Sequence, residues 1–136
     1  MERETRFGVS LPANLVEKFD KHITELGYDN RSKAIHDAVL DFITQSSLKQ
    51  AGGGFVGTIS YVYNHHAGDV THRLTELQHD HDDLIKSTMH SHITHDLCVE
   101  VMIVEGKTIE IQKLFGSISS ARGVENCKIA ALIQKK

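Results

Sequence analysis

From Arg6 to Leu11 apolar and non-apolar residues alternate: Phe7, Val9 and Leu11 on one side, Arg6, Gly8 and Ser10 on the other. A period of two predicts a strand with one dry face. The period then lengthens. Pro12 suits the first turn of a helix, and Leu15, Phe19, Ile23 and Leu26 recur at three- and four-residue spacing until Gly27 supplies a stop. In "NRSKAIHDAVLDFITQ" either Asn30 or Ser32 can cap a second helix, whose Ala34, Ile35, Ala38, Val39, Phe42 and Ile43 form a single apolar stripe. The three glycines of "SSLKQAGGG" interrupt the pattern and read as a flexible linker. Residues 1–48 are therefore expected to form one domain, 49–54 a glycine-rich linker and 55–136 a second domain.

The second domain reads strand, helix, strand, strand, helix, strand. "FVGTISYVYN" is rich in β-branched and aromatic residues, and "DVTHRLTELQHDHDDL" carries Val70, Leu74 and Leu77 on a helical stripe. "IKSTMHSHI" alternates and breaks at "THD", "LCVEVMIVEG" returns as a strand, "KTIEIQKLFGSI" is helical, and "CKIAALIQ" closes the series after Arg122 and Gly123. This is the split βαβ order of a ferredoxin-like, α+β domain. Many unrelated proteins share that layout, so function has to come from a site.

Composition narrows the class. The 136 residues are 40% hydrophobic and 24% charged, ordinary for a globular chain, with a formal charge of −3. No apolar run is long enough to span a membrane, and "MERETRFGVS" lacks the apolar core of a signal peptide, so a cytoplasmic protein is expected. Two cysteines are too few for a disulfide framework and read as thiols or ligands. Eight of the ten histidines follow residue 64, which places the unusual chemistry in the second domain.

A strand and two helices of this size cannot bury their apolar faces alone. A second copy solves the problem: two strands paired antiparallel over four helices cover every stripe and leave Arg6, Gly8 and Ser10 of both chains on one exposed ribbon. In these residues the segment resembles the ribbon-helix-helix DNA-binding domain, in which that ribbon enters the major groove. The resemblance implies that Arg6 donates to guanine edges and that Ser10 bonds a base or phosphate. Gly8 stands where relatives more often carry a side chain, so it offers only close backbone approach. Asn30, Arg31 and Ser32, at a helix N-terminus, suit a phosphate clamp. Residues 1–50 hold seven Lys or Arg against eight Asp or Glu, so bulk charge does not announce a nucleic-acid partner.

The densest cluster is "TMHSHITHDLC". In a strand His90 and His92 share a face, and Cys98 begins the strand that returns beside them, so two imidazoles and a thiolate converge. That set suits Zn, Ni or Cu rather than Mg or Ca. Three ligands leave a fourth position for solvent or another protein group, with His79 and His81 of "LQHDHDD" as candidates. His22, His36, His65, His66 and His72 read as solvated or hydrogen-bonded surface residues. Cys127 reads as a small buried apolar residue.

Together "GYDNRSKAIHDAV", "YVYNH", "LQHDHDD", "MHSHITHDLC" with the "VE" after it, and "RGV" make nearly the whole chain similar to the nickel-responsive transcriptional regulators, which join a ribbon-helix-helix domain to a ferredoxin-like, ACT-type domain. The resemblance implies one Ni(II) per subunit, held by His90, His92 and Cys98 of one chain and His79 of a neighbouring chain. Glu100 follows as a residue that orients a ligand, while His81 and His95 lie outside the ligand set. It further implies a homotetramer, a palindromic double-stranded operator and repression of nickel-uptake genes. Lys33 stands where those regulators carry a carboxylate, although Asp37 fits, which argues against a cation site between the two domains. Two rivals are weaker. A metal buffer or chaperone needs the first domain only to dimerise, and a small metallo-hydrolase needs an acid where "HSHITH" has Thr94.

Overall fold

A computed structural model of the chain describes residues 2–46 and 52–135. The elements are α1 (Ala13–Glu25), α2 (Arg31–Ser46), β1 (Gly54–Asn64), α3 (Val70–Asp80), β2 (Ile85–His92), β3 (Leu97–Lys107), α4 (Thr108–Ser119) and β4 (Val124–Lys135). They fall into two compact units that divide between Asp41 and Phe42. Half of the expected linker, residues 49–51, lies outside the described residues, and Gly54 already belongs to β1. Among the described residues no helix is long and apolar enough to cross a membrane.

In the first unit, Pro12 caps α1 from outside the first turn, its carbonyl accepting hydrogen bonds from Leu15 N–H and Val16 N–H at 3.0 and 3.1 Å. The helix ends in a Schellman motif: Tyr28 N–H donates to Ile23 O at 2.9 Å and Gly27 N–H to Thr24 O at 3.1 Å. That turn needs the left-handed backbone at Gly27, φ 86°, which a side chain would strain. Of the two candidate caps of α2 it is Asn30 that serves, its Oδ1 accepting from Lys33 N–H at 3.1 Å.

The strand expected over Arg6–Leu11 is absent: residues 2–12 belong to no hydrogen-bonded element in the single chain. A strand needs a partner ladder, and among the described residues this segment has none. Phe7 is 72% exposed, and Leu15, Ile35, Val39 and Leu40 are exposed with it, as are Phe42, at 74%, and Ile43, which follow in α2 just past the division. Among the described residues of this unit only Ile23 and Ala34 are buried.

The second unit has the expected order of elements. Its sheet runs β2-β3-β1-β4 with every neighbouring pair antiparallel. Burial along β1 alternates strictly, and the inward residues Phe55, Ile59, Tyr61 and Tyr63 meet Val70, Leu74 and Leu77 of α3 and Ile111, Leu114 and Ile118 of α4 in one core. At Gly57 β1 and β4 approach so closely that a Cβ would collide with the Ala130 carbonyl oxygen, so only glycine fits there. The edge strand β2 carries a register irregularity: Ile85 pairs with Val104 and Ser87 with Ile103, leaving Lys86 as the extra residue.

Candidate metal centre

The β2–β3 hairpin sets the site. Past Lys86 the pairing is regular and places His90 opposite Glu100 and His92 opposite Cys98, on the face whose β3 residues are buried. The two imidazoles therefore share a side of the edge strand, with ring centroids 5.0 Å apart. Cys98 is fully buried, and its Sγ lies 3.2 Å from His92 Nδ1. Donors on one ion with bonds of about 2.0–2.3 Å sit roughly 3–3.5 Å apart, so this pair already has ligand spacing.

The ring that joins His92 at the thiol is that of His65, while His90 does not join this group. His65, directly after β1, brings Nδ1 to 3.3 Å from the same sulfur, and His65, His92 and Cys98 hold their donor atoms within 4.8 Å of one another. On sequence alone His65 reads as a surface histidine. The signal that finds it is register: Tyr63 pairs with Cys98, and a residue two positions on returns to the same face. Burial comes first among the causes that lower the His65 pKa, followed by repulsion from His66, His92 and His95; nearby Asp96 opposes them. The neutral, metal-binding form of the ring is thereby favoured.

His90 is held differently. Its Nδ1 lies 3.0 Å from Tyr63 Oη. With Nδ1–H donating to that oxygen, the Nε2 lone pair is left for a metal. Burial, then the charges of Glu100 and Cys98, push the Tyr63 phenol up to about 12. Behind the thiol Glu100 is buried, accepting from Tyr61 O–H and from Gln78 N–H, both at 2.8 Å. Burial and the adjoining Glu100 raise Tyr61 further, so it stays a donor. Glu100 thus fixes the strand two residues from Cys98 and ties it to α3 at the residue before His79.

His79 itself is exposed near the C-terminus of α3 and does not join the group around Cys98. The topology explains why. α3 leaves the end of β1, where Cys98 lies, and finishes toward the start of β2, where Leu84 O accepts from Glu105 N–H. His81 is engaged locally, its Nδ1 2.9 Å from Leu77 O. Cys127 is half-buried against the core, and burial pushes its thiol up to about 11.

In the first unit Arg6, Gly8 and Ser10 are exposed, and a Cβ on Gly8 would meet open space. Arg31 makes a two-pronged pair with Asp20 at 2.7 and 2.8 Å, so its guanidinium is already committed, while Asn30 spends its oxygen on the helix cap. Lys33 Nζ sits 2.7 Å from Asp37 Oδ1 and puts a fixed positive charge on that carboxylate.

Similarity to known proteins covers both units. A family model described as "NikR C terminal nickel binding domain" matches residues 56–132, and one described as "Ribbon-helix-helix protein, copG family" matches residues 5–46. A Pyrococcus abyssi protein is 44% identical over 124 residues, covering 91% of this chain and 90% of its own length. One from Methanococcus maripaludis (strain C5) is 40% identical over 129 residues, 94% and 92% of the two chains. One from Methanocaldococcus jannaschii is 38% identical over 134 residues, 98% and 95%. Each bears the name "Putative nickel-responsive regulator". These are regulators rather than enzymes, and this chain belongs to their family, the nickel-responsive regulators built from a ribbon-helix-helix domain and a NikR C-terminal domain.

Proposed function

We propose that this chain is a cytoplasmic, nickel-dependent DNA-binding transcriptional regulator that represses nickel-uptake genes when Ni(II) is bound. The observation that supports the reading is the hairpin register, which sets His92 beside the buried thiol of Cys98 and His90 on the same face of β2. Two imidazoles and a thiolate fit a borderline ion, and nickel, when bound, supplies a tetragonal preference that three nitrogens and one sulfur satisfy. In this reading one ion per subunit is held by His90, His92 and Cys98, with His79 of a neighbouring chain as the fourth ligand. The exposure of His79, away from its own chain's Cys98, leaves it free to serve another copy.

Such sharing makes the site a clamp between subunits. A ligand shifts an equilibrium only through differential affinity, so the site must be better formed in the arrangement that fits DNA. The Tyr61–Glu100–Gln78 network gives that arrangement a physical link, joining the strand of Cys98 to the helix that presents His79. The assembly is a homotetramer with metal domains at its centre and two ribbon-helix-helix dimers outside, one on each half-site of a palindromic operator. In each dimer Arg6 and Ser10 face base edges, Gly8 lets the backbone approach, and the open N-terminus of α2 at Arg31 and Ser32 receives a phosphate.

Operator binding measured by fluorescence anisotropy with stoichiometric Ni(II) and with chelator tests this. Affinity should rise with nickel, and linkage requires operator DNA to tighten nickel binding by the same factor. Equal affinity in both conditions sinks the reading. A metal buffer would keep its metal capacity in an Arg6→Ala/Ser10→Ala variant and show no operator binding to lose.

A further inference from the structure

Two cations, Arg31 and Lys33, stand in the first turn of α2, where the helix dipole disfavours positive charge. Each is matched by a carboxylate. Arg31 Nε and Nη2 donate to the two oxygens of Asp20 on α1 at 2.8 and 2.7 Å, a side-on pair that uses two of the guanidinium's N–H groups and cancels its charge. Lys33 Nζ donates to Asp37 Oδ1 at 2.7 Å, and Tyr28 O–H donates to the other oxygen at 2.8 Å. Hydrogen bonds from Lys33, His36 and Tyr28 hold the Asp37 carboxyl well below the usual carboxylate range, and that from Arg31 lowers Asp20. Asp29, exposed in the turn between the helices, adds another negative charge, so at the start of α2 carboxylates outnumber cations.

Non-specific affinity for duplex DNA comes almost entirely from cations that displace counterions from phosphates, so a paired guanidinium contributes little to it. Given the DNA-binding reading of the first unit, on which this rests, we propose that Asp20 is a specificity-determining residue: it masks the Arg31 guanidinium beside the phosphate clamp and so holds down affinity for non-operator DNA. The masking is selective. Backbone N–H groups at the open start of α2 still receive a phosphate, but they act at hydrogen-bond range and so only once the ribbon is docked in register. An unpaired guanidinium acts over a Debye length, about 10 Å at 0.1 M salt, and attracts any duplex. Specificity is a difference between two affinities, and lowering the non-operator one widens it. The pair is also preset. Asp20 is half-buried on α1 and meets Arg31 eleven positions away, across a turn whose ends are fixed by the Schellman motif at Gly27 and the Asn30 cap.

Binding of the full-length, nickel-loaded chain to a random-sequence duplex, followed by fluorescence anisotropy over about 50 to 200 mM salt, tests this. Asp20→Asn should raise the affinity about tenfold near 0.1 M salt and steepen the logarithmic salt slope by about 0.9 for each guanidinium that reaches a phosphate. Arg31→Gln should leave the native values nearly unchanged, because the charge it removes is already masked, and Asp20→Asn/Arg31→Gln should restore the native slope. Asp29→Asn removes the same charge from the neighbouring turn without freeing a cation, so its slope should stay native. An exposed pair contributes little to stability, and circular dichroism should show the native fold in every variant. A pair that served only to join the helices would weaken binding in Asp20→Asn without steepening the slope. That result, or an equal effect from Asp29→Asn, overturns the masking role. A native chain that holds no duplex even at low salt overturns instead the DNA-binding reading beneath it.

Discussion

The two units of this chain satisfy their hydrophobic residues in opposite ways. In the second, helices α3 and α4 cover one face of the sheet and Ile59, Met102, Ile111, Leu114 and Ile118 are fully buried within a single chain. In the first, most of the stripe that the helical period lays out is exposed, and Phe7, Val9 and Leu11 stand in solvent. An apolar stripe of that size left bare in a single chain marks an interface. One unit carries its core within itself, and the other carries half of one.

Cutting into each core tests that contrast. The largest effect is expected for Leu114→Ala, which empties a fully buried position and should cost about 2–5 kcal/mol, read as a lowered denaturant midpoint of the second unit. Tyr61→Phe removes one of the two donors to the buried Glu100 carboxyl group. A hydrogen bond to a charged group contributes about 1.5–3 kcal/mol, and the loss should appear in the same unit. Val39→Ser sharpens the other side of the comparison. In an isolated chain this exposed position would tolerate the change within about 0.5 kcal/mol, whereas a stripe covered by a second copy should lose about 1–2 kcal/mol, increasingly so on dilution. A cost near zero at every concentration would return the stripe to solvent.

The smallest expected effect is a slope. The folded pKa of His65 is lowered, so between that value and the unfolded value of about 6.5 the unfolded chain binds the extra proton. Its contribution to stability is therefore complete above about pH 6.5 and is lost as pH falls through that value toward the folded pKa. His65→Asn in the metal-free protein should flatten stability against pH in this window, and an unchanged slope would show that other histidines carry it.

Local pattern made most of the fold legible. The order of the second unit's elements, the caps at Asn30 and Gly27, and the shared face of His90 and His92 all depend on neighbours within a few residues. The strand at Arg6–Leu11 was legible as a pattern but does not form in one chain, because a ladder requires a partner that no local rule can supply. The place of His65 beside Cys98 was hidden for a related reason: it depends on the pairing of β1 with β3, whose facing residues are more than 30 positions apart in sequence. Distance along the chain, not chemistry, limited the reading.

The extra residue at Lys86 governs what the hairpin can offer. Counted along the sequence, Ile85 and His90 differ by an odd number, and simple alternation would send them to opposite sides of the sheet. The bulge advances the phase of β2 by one step, so that Ile85 opposite Val104 and His90 opposite Glu100 face the same way. One irregular rung near the strand's beginning thus brings the parity of its anchoring residue and that of its two imidazoles into agreement.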